Sequence, residues 1–327
     1  MQPFVGHTQA VRCVAFTSDG GTLVSGGDDG KIIVWDRDTA RPKFTLKAGF
    51  APVLSVACHP DGERMLSGYR YPLALRDTPD RLRFWDLDTG KPSEAVDKDR
   101  SLWHRAERLA TGPVVQELVV RACDTIRDVQ FRHDGNSFLF LHHERVPYSD
   151  DTTGRPELLQ IEPRPEQVEP WLYRRTRVTS LALSRDGDSV AVASREYVRV
   201  GRLDARTVPP GYAARGHVQS LSLSPSGDRL AGCWGDAVTV WETGGGREVR
   251  DFAGHAGAVE AVAYKPDGSL IASAGLDGRV LLWEPHGGAA RAAYDWNLGP
   301  VHALAFSPDC LTLAVAGKGG LVLIDLE

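Results

Sequence analysis

Three sets of residues have types and spacings that could do chemistry. His7, Ser25 and Asp29 put an imidazole, a hydroxyl and a carboxylate in one short stretch, and His255, Ser273 and Asp277 repeat the set at the same spacing. Such a trio can activate a serine nucleophile when the three groups converge. His142-His143-Glu144 has the residue types of a metal site. Gly26-Gly27-Asp28-Asp29-Gly30-Lys31 ends in the Gly-Lys pair of a phosphate-cradling loop. The chain itself argues against each. The His-Ser-Asp set occurs twice, each time followed at fixed spacing by a tryptophan, Trp35 or Trp283, which marks a recurring structural unit. Successive residues of a strand face opposite ways, so His142, His143 and Glu144 cannot chelate together. The glycine loop lacks both the spacing and the closing Ser/Thr of a nucleotide loop. Five cysteines, an odd number without a CxxC pair, give neither a disulfide framework nor a zinc site. Cys13, Cys58 and Cys233 fall in predicted strands, as small buried hydrophobes do. No catalytic residue, metal or cofactor is expected.

The elements that position these residues announce themselves through a turn written seven times: TSDG from Thr17, HPDG from His59, RHDG from Arg132, SRDG from Ser184, SPSG from Ser224, KPDG from Lys265 and SPDC from Ser307. Successive starts lie 42, 73, 52, 40, 41 and 42 residues apart. A period of about 40 residues built on strands and tight turns indicates a propeller-like array. In the first unit, Val11, Val14 and Phe16 belong to a strand ended by Asp19-Gly20. Thr22 to Ser25 form a second, Lys31 to Trp35 a third, and Lys43 to Leu46 a fourth. The continuous Ile-Ile-Val-Trp run of the third is that of a strand buried on both faces.

Gly6-His7, followed by Trp35-Asp36 at the end of the third strand, resembles the WD-repeat family, and Gly254-His255 with Trp283-Glu284 nearly repeats the pattern. The resemblance implies two hydrogen-bonded tetrads, His7-Ser25-Asp29-Trp35 and His255-Ser273-Asp277-Trp283, that cement single blades. It also implies an all-β, seven-bladed β-propeller of four-stranded antiparallel blades, the last closed by the N-terminal strand. Blades are expected to start near 11, 53, 126, 178, 218, 259 and 301, forming one domain over 1–327. The pattern fades in the middle: Phe50 stands where blade 2 should have its histidine, and Gly201 where blade 4 should have its tryptophan. Blades 3 and 4 are therefore expected to rely on packing between neighbours and to be the softer part of the ring.

Three insertions, near 70–80, 97–120 and 145–157, interrupt the period and are expected on one rim, the top face above blades 2 and 3. The middle one, with Ser101 as N-cap, Leu102, Ala106 and Leu109 on one side and Gly112 beyond its end, reads as a short helix. Trp103, Tyr69, Tyr71 and Tyr148, with Arg174 and Arg175 nearby, are candidate partner anchors, because aromatics and arginine dominate interfaces. A varied column, Arg12, Leu54, Arg127, Thr179, Gln219, Glu260 and His302, follows the first apolar residue of each inner strand, among otherwise monotonous neighbours. The resemblance places it at the mouth of the central channel. Arg12, Arg127, Glu260 and His302 join the candidate partner-binding set.

A net charge of −5 argues against a general nucleic-acid binder, and no apolar run is long enough to span a membrane. The N-terminus lacks a signal-peptide pattern, which gives a cytoplasmic expectation. The expected function is a non-catalytic scaffold, a monomeric propeller within a complex, that binds a protein or peptide through the top face and the insertions. The alternative is a propeller that binds a small ligand or acts as a hydrolase at the central channel. A third option, a sensor module from a longer regulator, is disfavoured by the starting Met1 and the tidy closure.

Overall fold

A computed structural model describes residues 2–47, 49, 51–70, 82–92, 123–131, 138–144, 157–162, 178–194, 197–203, 211–213 and 216–326. A short strand, β1 (Gln2–Phe4), precedes a sheet made of β2 (Val11–Phe16), β3 (Thr22–Gly27), β4 (Lys31–Asp36) and β5 (Pro42–Lys47). The second sheet holds β6 (Val53–Cys58), β7 (Arg64–Tyr69) and β8 (Leu82–Asp86). The third holds β9 (Cys123–Phe131), β10 (Phe138–Glu144) and β11 (Glu157–Glu162). Next come β12 (Val178–Leu183), β13 (Ser189–Ser194), β14 (Tyr197–Arg202) and β15 (Gly211–Ala213), then β16 (Ser220–Leu223), β17 (Arg229–Trp234), β18 (Ala237–Glu242) and β19 (Glu248–Ala253). The sixth sheet holds β20 (Val259–Tyr264), β21 (Ile271–Gly275), β22 (Arg279–Trp283) and β23 (Ala290–Asp295). The last holds β24 (Val301–Phe306), β25 (Thr312–Gly317) and β26 (Gly320–Asp325), with β1 antiparallel beside β26 in the register Gln2↔Leu323 and Phe4↔Leu321. The expectation of four strands per sheet meets five such sheets. The second and third show three strands among the described residues.

All pairings are antiparallel between chain neighbours, except that of β1 with β26. The first strand of each sheet touches the first strand of the next, and β24 touches β2, so the inner strands complete a circuit. Sequence explains the layering. In β4, Ile32, Ile33, Val34 and Trp35 are all fully buried between sheets, whereas the outer strand β5 buries only Leu46. The recurring turn is held by its first residue: Thr17 Oγ1 donates to Asp19 at 2.6 Å and accepts from the Thr22 amide at 3.1 Å. Gly20 then takes φ 73°, a left-handed conformation that costs glycine little. In the last copy Cys310 adopts that conformation, at φ 65°.

Junctions between sheets repeat one another. Phe252 of β19 packs on Trp283 of the next sheet, with ring centroids 5.0 Å apart, and Phe4 of β1 packs edge-on against Trp35 at 5.3 Å. At the opposite end of the same junction, Arg37 reaches Asp309 at 2.5 Å. Although burial pulls the other way, hydrogen bonds from Arg37 and Ser307 hold the Asp309 carboxyl down at about 2.

Candidate functional site

The varied column owes its position to a backbone irregularity. In β2 the pairing with β3 jumps from Val11 to Cys13, which leaves Arg12 on a bulge. The same jump leaves Leu54, Arg127, Thr179, Glu260 and His302 on bulges in β6, β9, β12, β20 and β24. Gln219 holds the equivalent place just before β16, its amide bonded to the Cys233 carbonyl. A bulge re-aims a side chain away from the ladder. All seven of these residues line one central cavity of about 460 Å³. Core packing therefore does not dictate the column, which is why it varies.

Charge within the cavity is paired unevenly. The Arg12 guanidinium binds Asp28 through Nε at 2.8 Å and Nη2 at 2.5 Å, and its Nη1 reaches His302 Nε2 at 3.3 Å. Burial, then the Arg12 charge, pushes the His302 pKa below the usual imidazole value. Glu260 accepts only a long contact of 3.5 Å from Gln219. The side chain of Arg70 has no hydrogen bond or ion pair among the described residues, and Ser55 Oγ and His302 Nδ1 are buried without a partner. Asp128, beside the Arg127 bulge, is pushed up to about 7 by burial, with Gln130 bonding it at 3.3 Å.

The two His-Ser-Asp sets lie elsewhere and are closed. His7 Nδ1 meets Asp29 at 3.0 Å, its Nε2 meets Ser25 Oγ at 2.8 Å, and Trp35 Nε1 donates to the same oxygen at 2.8 Å. His255, Asp277, Ser273 and Trp283 reproduce this at 3.0 Å to the carboxylate and 2.8 Å for each bond to Ser273. Ser25 and Ser273 are fully buried, so neither can meet a substrate. Burial lowers both histidine pKa values. The Thr8 and Ala256 amides and the imidazoles, overcoming burial, hold Asp29 and Asp277 below the usual carboxylate range.

The second sheet builds a variant and corrects one expectation. Tyr69 is not a rim aromatic: it is fully buried, and its hydroxyl takes the histidine's place on Ser67 at 2.5 Å, with Trp85 Nε1 on the same oxygen at 2.8 Å. The fifth sheet has neither group. Gly232 stands where Ser25 stands in the first, because a Cβ there would come within 2.9 Å of Trp241. In the third and fifth sheets, hydrogen bonds reach across to the neighbour instead. Gln130 bonds the Leu181 carbonyl at 3.3 Å and the Leu183 amide at 3.0 Å, while Ser222 accepts from the Tyr264 amide at 2.9 Å. In the fourth sheet, Arg199 stacks over Tyr197 at 4.0 Å and Arg202 meets Asp188 at 3.5 Å.

Trp103, Tyr148, Arg174, Arg175, Tyr71 and Phe50 lie outside the described residues, as do 71–80, 97–120 and 145–156 of the three insertions. The strand ends that flank the insertions are described. Arg70, the residue after β7, lines the cavity. The ends of β9 and β10 next to the other two insertions pair with each other at Glu144↔Cys123, beyond the Arg127 bulge. These three are at the bulge end of the sheets, whereas Pro92, the last described residue before 97–120, bridges Trp85 at the opposite end. His142, His143 and Glu144 are consecutive in β10. Sequence reasoning missed Asp128 and Gln130. The signal was present: they break columns that read Cys13, Ser55, Ser180, Ser220, Ala261, Ala303 and Ala15, Ala57, Ala182, Ser222, Ala263, Ala305 in the other strands.

Comparison with known proteins adds the following. The family described as WD domain, G-beta repeat matches residues 1–36, 210–242 and 246–284. An uncharacterized WD repeat-containing protein, sll1491 of Synechocystis, is 39% identical over 69 residues, which are 21% of this chain and 20% of that protein. Human ribosome biogenesis protein BOP1 is 25% identical over 303 residues, covering 84% of this chain and 37% of that protein. The chain thus spans well under half the length of these relatives. Among solved structures, the WD40 β-propeller domain of Doa1 superposes with a TM-score of 0.71 at 15% identity, over 100% of this chain and 96% of that one.

Proposed function

The chain is a WD-repeat protein, and from that premise we propose that it is a non-catalytic scaffold that holds a protein or peptide partner at the bulge-lined end of a seven-bladed ring. The single observation that carries this reading is the convergence of seven varied side chains, six of them on bulges, into one cavity. The end of β7, the start of β9 and the end of β10, one next to each insertion, lie at that same end, and in this reading partner contacts extend from the cavity to Trp103, Tyr148, Arg174 and Arg175. In the same reading β1 completes the seventh blade, and Phe4 serves that junction as Phe252 serves the one before Trp283. Phe4→Ala then costs about 3 kcal/mol, the usual loss for truncating a buried phenylalanine. An unchanged urea midpoint would count against closure by this strand.

A small ligand in the cavity is the second reading, favoured by the buried unpartnered Ser55 Oγ and His302 Nδ1. Deleting residues 97–120 separates the two. A scaffold loses its partner in affinity capture from native lysate, whereas a protein whose ligand sits in the cavity keeps that ligand. Partner capture unaffected by the deletion would turn the assignment toward the small-ligand reading.

A further inference from the structure

We infer that the central cavity receives an anionic side chain, carboxylate or phosphoryl, from an extended segment of the protein partner. This rests on the scaffold reading and names what the cavity selects. A guanidinium has donors only, so the Arg12 contact at 3.3 Å makes His302 Nε2 the acceptor. In a neutral imidazole the proton then sits on Nδ1, and this is the buried nitrogen without a partner. Ser55, 4% exposed, adds a second unanswered group, a hydroxyl, in the lining. Arg70 adds an exposed guanidinium with no bond among the described residues.

The lining carries three carboxyl groups. Asp28 is held by two nitrogens of Arg12, Glu260 takes only the long Gln219 contact, and the Asp128 carboxyl lies beside the Gln130 amide. Among the described residues, unanswered donors remain on Arg70, Ser55 and His302. An arriving anion answers the unmet donors, because charge-assisted hydrogen bonds to an oxyanion are the strong ones. An arriving cation meets Arg12, Arg70 and Arg127 instead. A volume of about 460 Å³ holds a side chain together with flanking backbone.

The test passes a synthetic oriented peptide library, with Glu, phosphoserine, Lys or Arg at the fixed position, over the immobilised full chain. The expected result is retention of Glu and phosphoserine peptides about tenfold above Lys and Arg peptides, roughly the worth of one charge-assisted hydrogen bond. Arg70→Glu should reverse that preference, and His302→Ala should reduce it, with melting temperatures unchanged for Arg70→Glu because Arg70 is exposed. Preference for basic peptides, or a preference that neither variant alters, overturns the inference. So does the absence of any peptide preference while a partner dependent on residues 97–120 still binds, which leaves the scaffold reading standing. Inorganic phosphate and glutarate serve as competitor arms. If either alone binds as tightly as the acidic peptides, the guest is a small anion and the peptide assignment fails.

Discussion

The sixth and third sheets solve the same problem in opposite ways. In the sixth, His255, Asp277, Ser273 and Trp283 tie one sheet together from within, and the inner strand carries small residues, Ala261 and Ala263. In the third, the same two inner positions carry Asp128 and Gln130, and Gln130 fastens the strand to the backbone of the next sheet. A sheet with a tetrad can fold its polar cement inside itself. The third and fifth sheets borrow their neighbour's backbone, and so couple their stability to it. The third sheet adjoins two of the insertions in the chain, and the tetrad-bearing first and sixth sheets carry Arg12 and Glu260 on the cavity wall.

The largest expected break comes from the tetrad. Ser273→Ala leaves Trp283 Nε1 and the His255 ring nitrogen buried without their shared partner, at a cost of roughly 2–4 kcal/mol. Urea unfolding followed by tryptophan fluorescence reads it; a loss below that of an ordinary surface substitution would mean the tetrad is not the cement. Next, Gln130→Leu orphans the Leu183 amide and should cost about 1–2 kcal/mol. Its signature is location: hydrogen exchange should accelerate in β12 of the adjacent sheet. Acceleration confined to β9 would remove the claimed coupling.

Asp128 sharpens the contrast through pH. Its folded pKa is raised from 3.8 to about 7, so the folded state keeps a proton that the unfolded chain releases, and stability falls as pH climbs between those values. Asp128→Asn should therefore melt roughly 2–4 °C above the parent at pH 8 and alongside it below pH 4. The tetrad histidines, with lowered pKa values, act in the opposite sense and lose stability as pH falls through the unperturbed imidazole value. The smallest effect is a gain: Cys310→Gly relieves a left-handed residue at φ 65° and should stabilise by about 0.5–1 kcal/mol. Differential scanning calorimetry suffices to see it.

Much of this was legible beforehand, for identifiable reasons. The His-Ser-Asp-Trp sets are spaced by the blade itself, so sequence distance carries their geometry. The Arg12–His302 column stood out because its neighbours are uniform. The bulges beneath it are a backbone feature with no residue signature, which hid the reason for its direction. Tyr69 was misread because it adjoins an insertion, and only the register shows its hydroxyl standing in for a missing imidazole. Asp128 and Gln130 could have been found by asking which strand breaks the small-residue columns. The Ser222 contact could not, since serine is unremarkable there.

Lysine positions give the most direct check on the claim that partners are held at the bulge end. Lys31, Lys47 and Lys318 lie at that end of their strands, whereas Lys43, Lys91 and Lys265 lie at the other. Crosslinking mass spectrometry of the protein in native lysate should join partner peptides to Lys31, Lys47 and Lys318. Partner crosslinks gathered on Lys43, Lys91 and Lys265, or spread evenly over both ends, would contradict the account.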